Sequence, residues 1–261
     1  MSQTEQAYRL EVVPDPASLP EGRRQELIDA FVELSARSTG GEDWRNYRPA
    51  VDGWRQYYSS PGARPQDFQR LILIYDGDLL IHFTGVVQHE LSPAEPLIFI
   101  RSSMTLLEYQ GAGLLRTAIL SIFSPAWLRE LATAYPEVTV AMRTANPVVY
   151  EAARNLVEGY AGQPGLSFSL VPRIEPGARI APVPERIVDL AQRTVATISP
   201  GSTFLPDVFI NKAYYKKYGA LYKEPTFPCR NPVTQEFFDR WVDYSNQDGI
   251  LILIQMRRDA R

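Results

Sequence analysis

The sequence predicts an α/β fold of the α+β kind: a mixed, mostly antiparallel central sheet flanked by helices, with a long insertion before the last strand. Three observations predict it. Short apolar runs joined by turn residues recur between residues 70 and 106, helix-period and strand-like patterns alternate around them, and one further apolar run appears at 249–256 after a long proline-punctuated stretch.

Each element follows in order. Residues 8–13 read as a strand. Ser18-Leu-Pro-Glu21 has capping-box spacing with proline early in a helix, and Leu27, Phe31 and Leu34 recur at helical spacing until Ser38-Thr-Gly-Gly41 ends the pattern. Residues 42–68 carry Trp44, Tyr47, Trp54, Tyr57 and Tyr58 among Glu42, Asp43 and Asp52 without clean periodicity. These rings either cover the core beneath a long connection or form an aromatic wall for an amine. Residues 70–75, the turn Asp76-Gly77 and residues 78–87 read as a hairpin, and residues 97–106 as the third strand of an antiparallel meander. That strand runs into Leu107-Glu-Tyr-Gln-Gly-Ala-Gly-Leu-Leu115, a glycine-containing loop, and Leu114, Leu115, Ala118, Ile119 and Ile122 give the apolar spacing of a helix starting there. Ser124-Pro125 opens another helix reaching about Tyr135, residues 138–143 make a strand, and residues 146–156 make a helix with Pro147 in its first turn. Past residue 158, prolines at 172, 176, 182, 184, 200, 206, 225, 228 and 232 imply turns and short helices. Within this region Ile187, Leu190, Ala191 and Thr194 form one helical stripe. Residues 249–256 suit a strand covered on both faces, with residues 168–171 as its hairpin partner. Residues 1–261 then form a single domain with 172–248 as a proline-rich insertion.

Composition narrows the function classes. The chain has 261 residues, 45% hydrophobic and 22% charged, with net charge −3, so it lacks the basic footprint of a nucleic-acid binder. The single cysteine, Cys229, permits neither an intrachain disulfide nor a zinc site of paired cysteines. The N-terminus lacks a basic start and apolar run, and no apolar stretch approaches the ~20 residues a bilayer requires. The expectation is a cytoplasmic protein without nucleic-acid, membrane or metal partners.

The chemistry concentrates at residues 110–115. A helix start presents unpaired N–H groups and partial positive charge, which suit a diphosphate, and Gly111 and Gly113 allow close approach to the backbone. No Lys-Ser or Lys-Thr follows to make a P-loop, and a dinucleotide fingerprint needs a third glycine and a parallel unit. A tight turn without a ligand is the alternative.

Gln110-Gly-Ala-Gly113-Leu-Leu115 resembles the Q/R-x-x-G-x-G/A signature of the GNAT acyltransferase superfamily, with Leu115 in place of the last glycine or alanine. Thr144-Ala-Asn146-Pro147-Val-Val-Tyr150 resembles the T/S-x-N-P-x-V-Y segment that opens a later helix in some members. The likeness covers residues 70–158 well and 8–38 by position. It implies a GNAT-like fold and transfer of an acetyl or acyl group from acyl-CoA to an amine of a small molecule or peptide. By this resemblance the N–H groups of Gly111, Ala112, Gly113, Leu114 and Leu115 hold the pyrophosphate and Gln110 adds a side-chain donor. The main chain at Thr105 and Leu107 pairs with pantetheine, and Asn146 joins the cofactor site.

Aminolysis of a thioester also needs a proton acceptor and a donor for the leaving thiolate. Tyr150 is the candidate donor, although relatives place that tyrosine seven residues after the asparagine, where Ala153 stands; a packing role is its other reading. The fourth strand offers Arg101, Ser102 and Ser103 but no acid, so Glu90 and Glu95 are the nearest candidate bases, or else ordinary turn carboxylates. His82 and His89, seven apart on one strand, face opposite ways and form no paired site. All four lysines fall within residues 211–223, interleaved with tyrosines. On a helix this segment offers either an anion contact or a solvated face with tyrosines inward. Two rival readings stand beside the transferase: a GNAT-like protein that binds CoA or an acyl carrier without amine transfer, and a degenerate interaction module. A homodimer is left open.

Overall fold

The computed structural model describes residues 8–40, 48–160, 165–216 and 228–258. It divides into two compact units, one of Met1–Val87 with Arg101–Ser124, the other of Gln88–Ile100 with Pro125–Arg261. Both β3 (Leu79–Ser92) and β4 (Glu95–Thr105) pass from one unit into the other.

In the first unit β1 (Arg9–Val13) pairs antiparallel with β2 (Arg70–Asp76), from Arg9↔Tyr75 to Val13↔Leu71. β2 pairs antiparallel with β3 across the Gly77 turn, where φ is +58°, and β4 follows β3. Among the described residues three α-helices accompany these strands: α1 (Glu21–Gly40), α2 (Arg48–Ser59) and α3 (Leu114–Ile122). Phe31 of α1 stacks on Phe83 of β3 with ring centroids 3.9 Å apart.

The second unit centres on β11 (Gly249–Arg258), which pairs antiparallel with β5 (Glu137–Thr144) on one side. On its other side it pairs with β6 (Leu166–Val171) and β10 (Ile210–Asn211), and β10 pairs with β9 (Phe204–Leu205). β4 joins β5 in parallel, from Leu97↔Thr139 to Ile100↔Met142. Among the described residues this unit also holds four α-helices, α4 (Pro125–Ala134), α5 (Pro147–Tyr160), α6 (Glu185–Ile198) and α7 (Pro232–Trp241), and the small ladder of β7 (Ile174–Glu175) with β8 (Arg179–Ile180). The sheet is therefore mixed and mostly antiparallel, flanked by helices, as the patterning predicts. Residues 250–256 are all buried, the expected state of a strand covered on both faces, and residues 168–171 pair with this strand as anticipated, with Phe168 opposite Met256. The proline-rich segment is not wholly apart from the sheet, because β9 and β10 extend it.

Three local expectations are corrected. Ser18 does not cap α1: Pro16–Ser18 winds into a 3-10 turn and the Ser18 hydroxyl donates to the Asp15 carbonyl at 2.7 Å. The first helical bond instead runs from Arg24 N–H to Pro20 O. The segment read as aperiodic contains α2, whose Trp54, Tyr57 and Tyr58 share one helical face and are buried. Tyr58 and Tyr57 keep their hydroxyls satisfied against Ser35 Oγ (2.9 Å) and Ser102 Oγ (3.0 Å), which is how phenols enter a core. Trp44 and Tyr47 lie outside the described residues. Finally, residues 212–215 form turns and not an α-helix, because Phe209 (φ 57°) and Ala213 (φ 51°) sit in the left-handed region that interrupts helical winding.

Candidate functional site

β4 delivers the chain to the loop. The Leu106 N–H donates to the Ile81 carbonyl (2.9 Å), Leu107–Tyr109 make one 3-10 turn, and Gly111 (φ 87°) and Gly113 (φ 77°) both turn left-handed before α3 begins. Gly113 is the N-cap residue, and its carbonyl accepts the first helical bond, from Thr117 N–H at 3.0 Å. The N–H groups of Gly111, Gly113, Leu114, Leu115 and Arg116 consequently have no acceptor among the described residues. Those of Ala112 and Gln110 are closed into turns, onto Tyr109 O (3.2 Å) and Leu107 O (3.2 Å). Of the five donors expected at residues 111–115, four are free to meet a ligand, and Ala112 is not.

The surface over these donors suits an anion. Gly111, Ala112 and Gly113 are exposed, and a Cβ built on either glycine would meet nothing within 4 Å. No acidic residue lies in the first turn of α3, so the helix-end field is undiminished there. Glu108, the nearest carboxylate in sequence, is neutralised by Arg37 at 2.5 Å. The loop is also braced: Tyr109 Oη donates to Asp76 Oδ2 at 2.7 Å. Leu114 is buried under the helix while Leu115 is half-exposed. The leucine that replaces the small residue of the resembling motif therefore does not pack wholly inward.

Two expected contributions are spent inside the protein. The Gln110 amide donates to the Thr105 carbonyl at 3.3 Å, and the same carbonyl accepts from Ser38 Oγ at 2.7 Å. Thr105 thus offers a ligand no free carbonyl in this arrangement, and the neighbouring Leu107 carbonyl accepts from Gln110 N–H.

The remaining candidates belong to the second unit. Asn146 Oδ1 accepts from Val148 N–H (2.9 Å) and closes the start of α5, while its own N–H donates to Thr144 Oγ1 (2.9 Å). Tyr150 is 2% exposed. Its hydroxyl donates to the Pro172 carbonyl and accepts from Ile174 N–H, each at 3.0 Å, and burial raises its pKa. Both bonding positions of the phenol are used on the backbone. Glu90 is exposed on β3. Glu95 is held by Arg193 at 2.7 Å, and that bond, against a smaller burial penalty, lowers its pKa.

The lysine segment is partly described. Lys212 is ion-paired with Asp248, whose side chain is fully buried, so its charge is consumed internally. Tyr214 is buried, with the Arg143 guanidinium 3.3 Å from its ring centroid. Residues 217–223, including Lys217, Tyr218, Tyr222 and Lys223, lie outside the described residues. Among the described residues no group of three or more His, Cys, Asp or Glu side chains could hold a metal ion, and no helix is long and apolar enough to cross a membrane.

Sequence reading named the loop but missed Ser38 and Arg116. Arg116 completes the free first turn, a position that the helix start at Leu114 implies; Ser38 carries no local signal, since it reaches Thr105 from 67 residues away.

No family model and no curated protein matches this chain. Among the solved structures similar to it are GNAT acetyltransferases. An aminoglycoside N-acetyltransferase AAC(6')-Iy in complex with CoA is 9% identical, with 62% of this chain and 92% of that one covered and a TM-score of 0.35. The PaiA N-acetyltransferase of Thermoplasma acidophilum in complex with coenzyme A is 10% identical, covering 66% and 96%, TM-score 0.37. A GCN5-related N-acetyltransferase of Kribbella flavida is 14% identical, covering 64% and 86%, TM-score 0.34. Likenesses at this level carry no argument about chemistry, which rests on the loop.

Proposed function

We propose that this chain is a GNAT-type protein that binds an acyl-CoA at the loop and first turn of α3 and transfers its acyl group to an amine of a small molecule or peptide. One observation carries the reading: the N–H groups of Gly111, Gly113, Leu114, Leu115 and Arg116 lie free at one helix start, on two left-handed glycines and the helical turn that follows them, without a carboxylate in the turn. Such a cluster matches the multiple acceptor oxygens and negative charge of a diphosphate. Acyl-CoA supplies the activated acyl group; the protein binds, orients and desolvates it. The Leu107 N–H, without an acceptor among the described residues, is the main-chain group we assign to pantetheine, and Asn146 is kept as a candidate cofactor residue.

For proton transfer, Tyr150 is better read as a brace than as an acid, since releasing its hydroxyl strands the Ile174 N–H and the Pro172 carbonyl. Glu90 remains the candidate base, as an exposed carboxylate or through a water.

Thermal unfolding with and without acetyl-CoA tests the binding half. Ligand at 100 times its dissociation constant adds ~2.7 kcal/mol, and an unchanged midpoint at millimolar acetyl-CoA refutes the reading. Release of free thiol with a panel of amines then tests transfer. A second reading, CoA binding without amine transfer, is favoured by the absence of a carboxylate in residues 101–105 and by the committed Tyr150 hydroxyl. A stabilising shift with no thiol release under any amine would establish it.

A further inference from the structure

Thr105 is the last residue of β4 and the point where the chain leaves the sheet for the phosphate loop. Its carbonyl is fixed by Ser38 Oγ and the Gln110 amide. Its side chain is fixed by a different group: Thr105 Oγ1 lies 2.7 Å from Nδ1 of His82, a fully buried residue of β3. The other ring nitrogen, Nε2, lies 2.9 Å from Thr84 Oγ1, which in turn lies 2.9 Å from Ser103 Oγ. The chain of bonds thus runs Ser103, Thr84, His82, Thr105, and ends at the carbonyl that Gln110 grips from inside the loop. A fully buried imidazole with a hydroxyl at each nitrogen is held in one orientation, and its far end sets the rotamer of Thr105.

We propose that His82 is a positioning residue for the loop: through Nδ1 it fixes Thr105, and Thr105 with Gln110 fixes the left-handed path through Gly111 and Gly113 that leaves the first-turn N–H groups convergent. Its consequence for ligand binding rests on the phosphate reading above; its structural half stands without it. Only the Nδ1 link reaches the loop, whereas the Nε2 link ends inside the sheet.

Asparagine and glutamine separate the two links. In His82→Asn the amide sits as many bonds from Cβ as Nδ1 does, and in His82→Gln as many as Nε2 does, so H82N retains the reach to Thr105 and H82Q the reach to Thr84. Hydrogen exchange on the ligand-free protein should show faster exchange of residues 105–116 in H82Q and near wild-type exchange there in H82N, with α2 unchanged in both. Titration with CoA should show H82Q weakened about fivefold or more, as loss of one oriented contact implies, and H82N within about twofold. Equal behaviour of the two variants, or exchange rising evenly through the unit, overturns the assignment. Should H82Q fail to fold, the isosteric pair Thr105→Val and Thr84→Val decides: T105V must loosen the loop and T84V must not. A wild type that ignores CoA while the exchange pattern holds refutes the phosphate reading and leaves the positioning role standing.

Discussion

Three glycines allow the cost of a backbone conformation to be separated from the cost of a lost ligand contact. Gly77, Gly111 and Gly113 all have positive φ, at 58°, 87° and 77°, and a Cβ on any of them meets nothing within 4 Å. Alanine at each position therefore imposes the same kind of penalty, the ~1–2 kcal/mol of a left-handed L-residue, with no steric clash added. At ~2–4 °C per kcal/mol for a chain of this size class, each variant should melt roughly 2–8 °C lower. The three should then diverge in ligand binding. Gly77 sits in the β2–β3 turn, so Gly77→Ala should bind acetyl-CoA as wild type does. Gly111→Ala and Gly113→Ala should escape their strain by rotating the peptide groups that aim the free N–H donors. Each charge-assisted hydrogen bond so lost removes ~1.5–3 kcal/mol, a weakening of roughly 10- to 150-fold. Calorimetric titration beside differential scanning reads both quantities on the same samples. If all three variants bind acetyl-CoA equally, the donors of this turn do not hold its phosphates and the reasoning fails.

Other consequences follow from the packing. Burial depresses the His82 pKa from 6.5 to about 3, so the unfolded chain takes up a proton that the folded one refuses; the stability this provides is complete above pH 6.5 and is lost progressively as pH falls towards 3. Between pH 6.5 and 5 the loss attributable to His82 is about 2 kcal/mol, and urea midpoints for H82N should lack that slope; parallel pH dependences would refute it. Tyr150→Phe should cost ~1–3 kcal/mol by stranding two backbone groups and leave turnover per folded molecule within about threefold, whereas a hundredfold loss at unchanged stability would restore the tyrosine as an acid. Asp248 is fully buried and accepts from Lys212, from Ala213 N–H at 2.9 Å and from Asn246 Nδ2 at 2.8 Å. Lys212→Met should therefore destabilise by up to ~3–5 kcal/mol, since it leaves a buried carboxylate without its cation. The double change with Asp248→Asn should recover much of that loss in urea unfolding, and simple additivity would contradict the pairing.

Much of this architecture was legible in the sequence, for reasons that are local. Apolar alternation and helical spacing report which face of an element is buried, so the β2–β3 hairpin, β4, α5, α6, β11 and its β6 partner are visible in the residue pattern alone. The two glycines flanking Ala112 announce a left-handed path because few other residues tolerate it. The failures share another cause. Trp54, Tyr57 and Tyr58 carry helical spacing, but their polar atoms and acidic neighbours mask a face that is buried only because Ser35 and Ser102, distant in sequence, receive their hydroxyls. Ser18 has the spacing of a cap, yet its hydroxyl is taken by the Asp15 carbonyl.

By itself, the sequence determined that a strand must end near residue 105, that a glycine turn must follow and that a helix must begin by residue 114, since these depend on φ, ψ and period within a few residues. Only the tertiary structure decided which polar groups in that turn remain available. Ser38 and Gln110 take the Thr105 carbonyl, His82 takes its hydroxyl, Tyr109 takes the Ala112 N–H, and the first-turn N–H groups are left over. A hydrogen-bond donor can be spent once, and several of the groups that claim these donors and acceptors lie on α1 and β3, where chain order carries no record of their proximity.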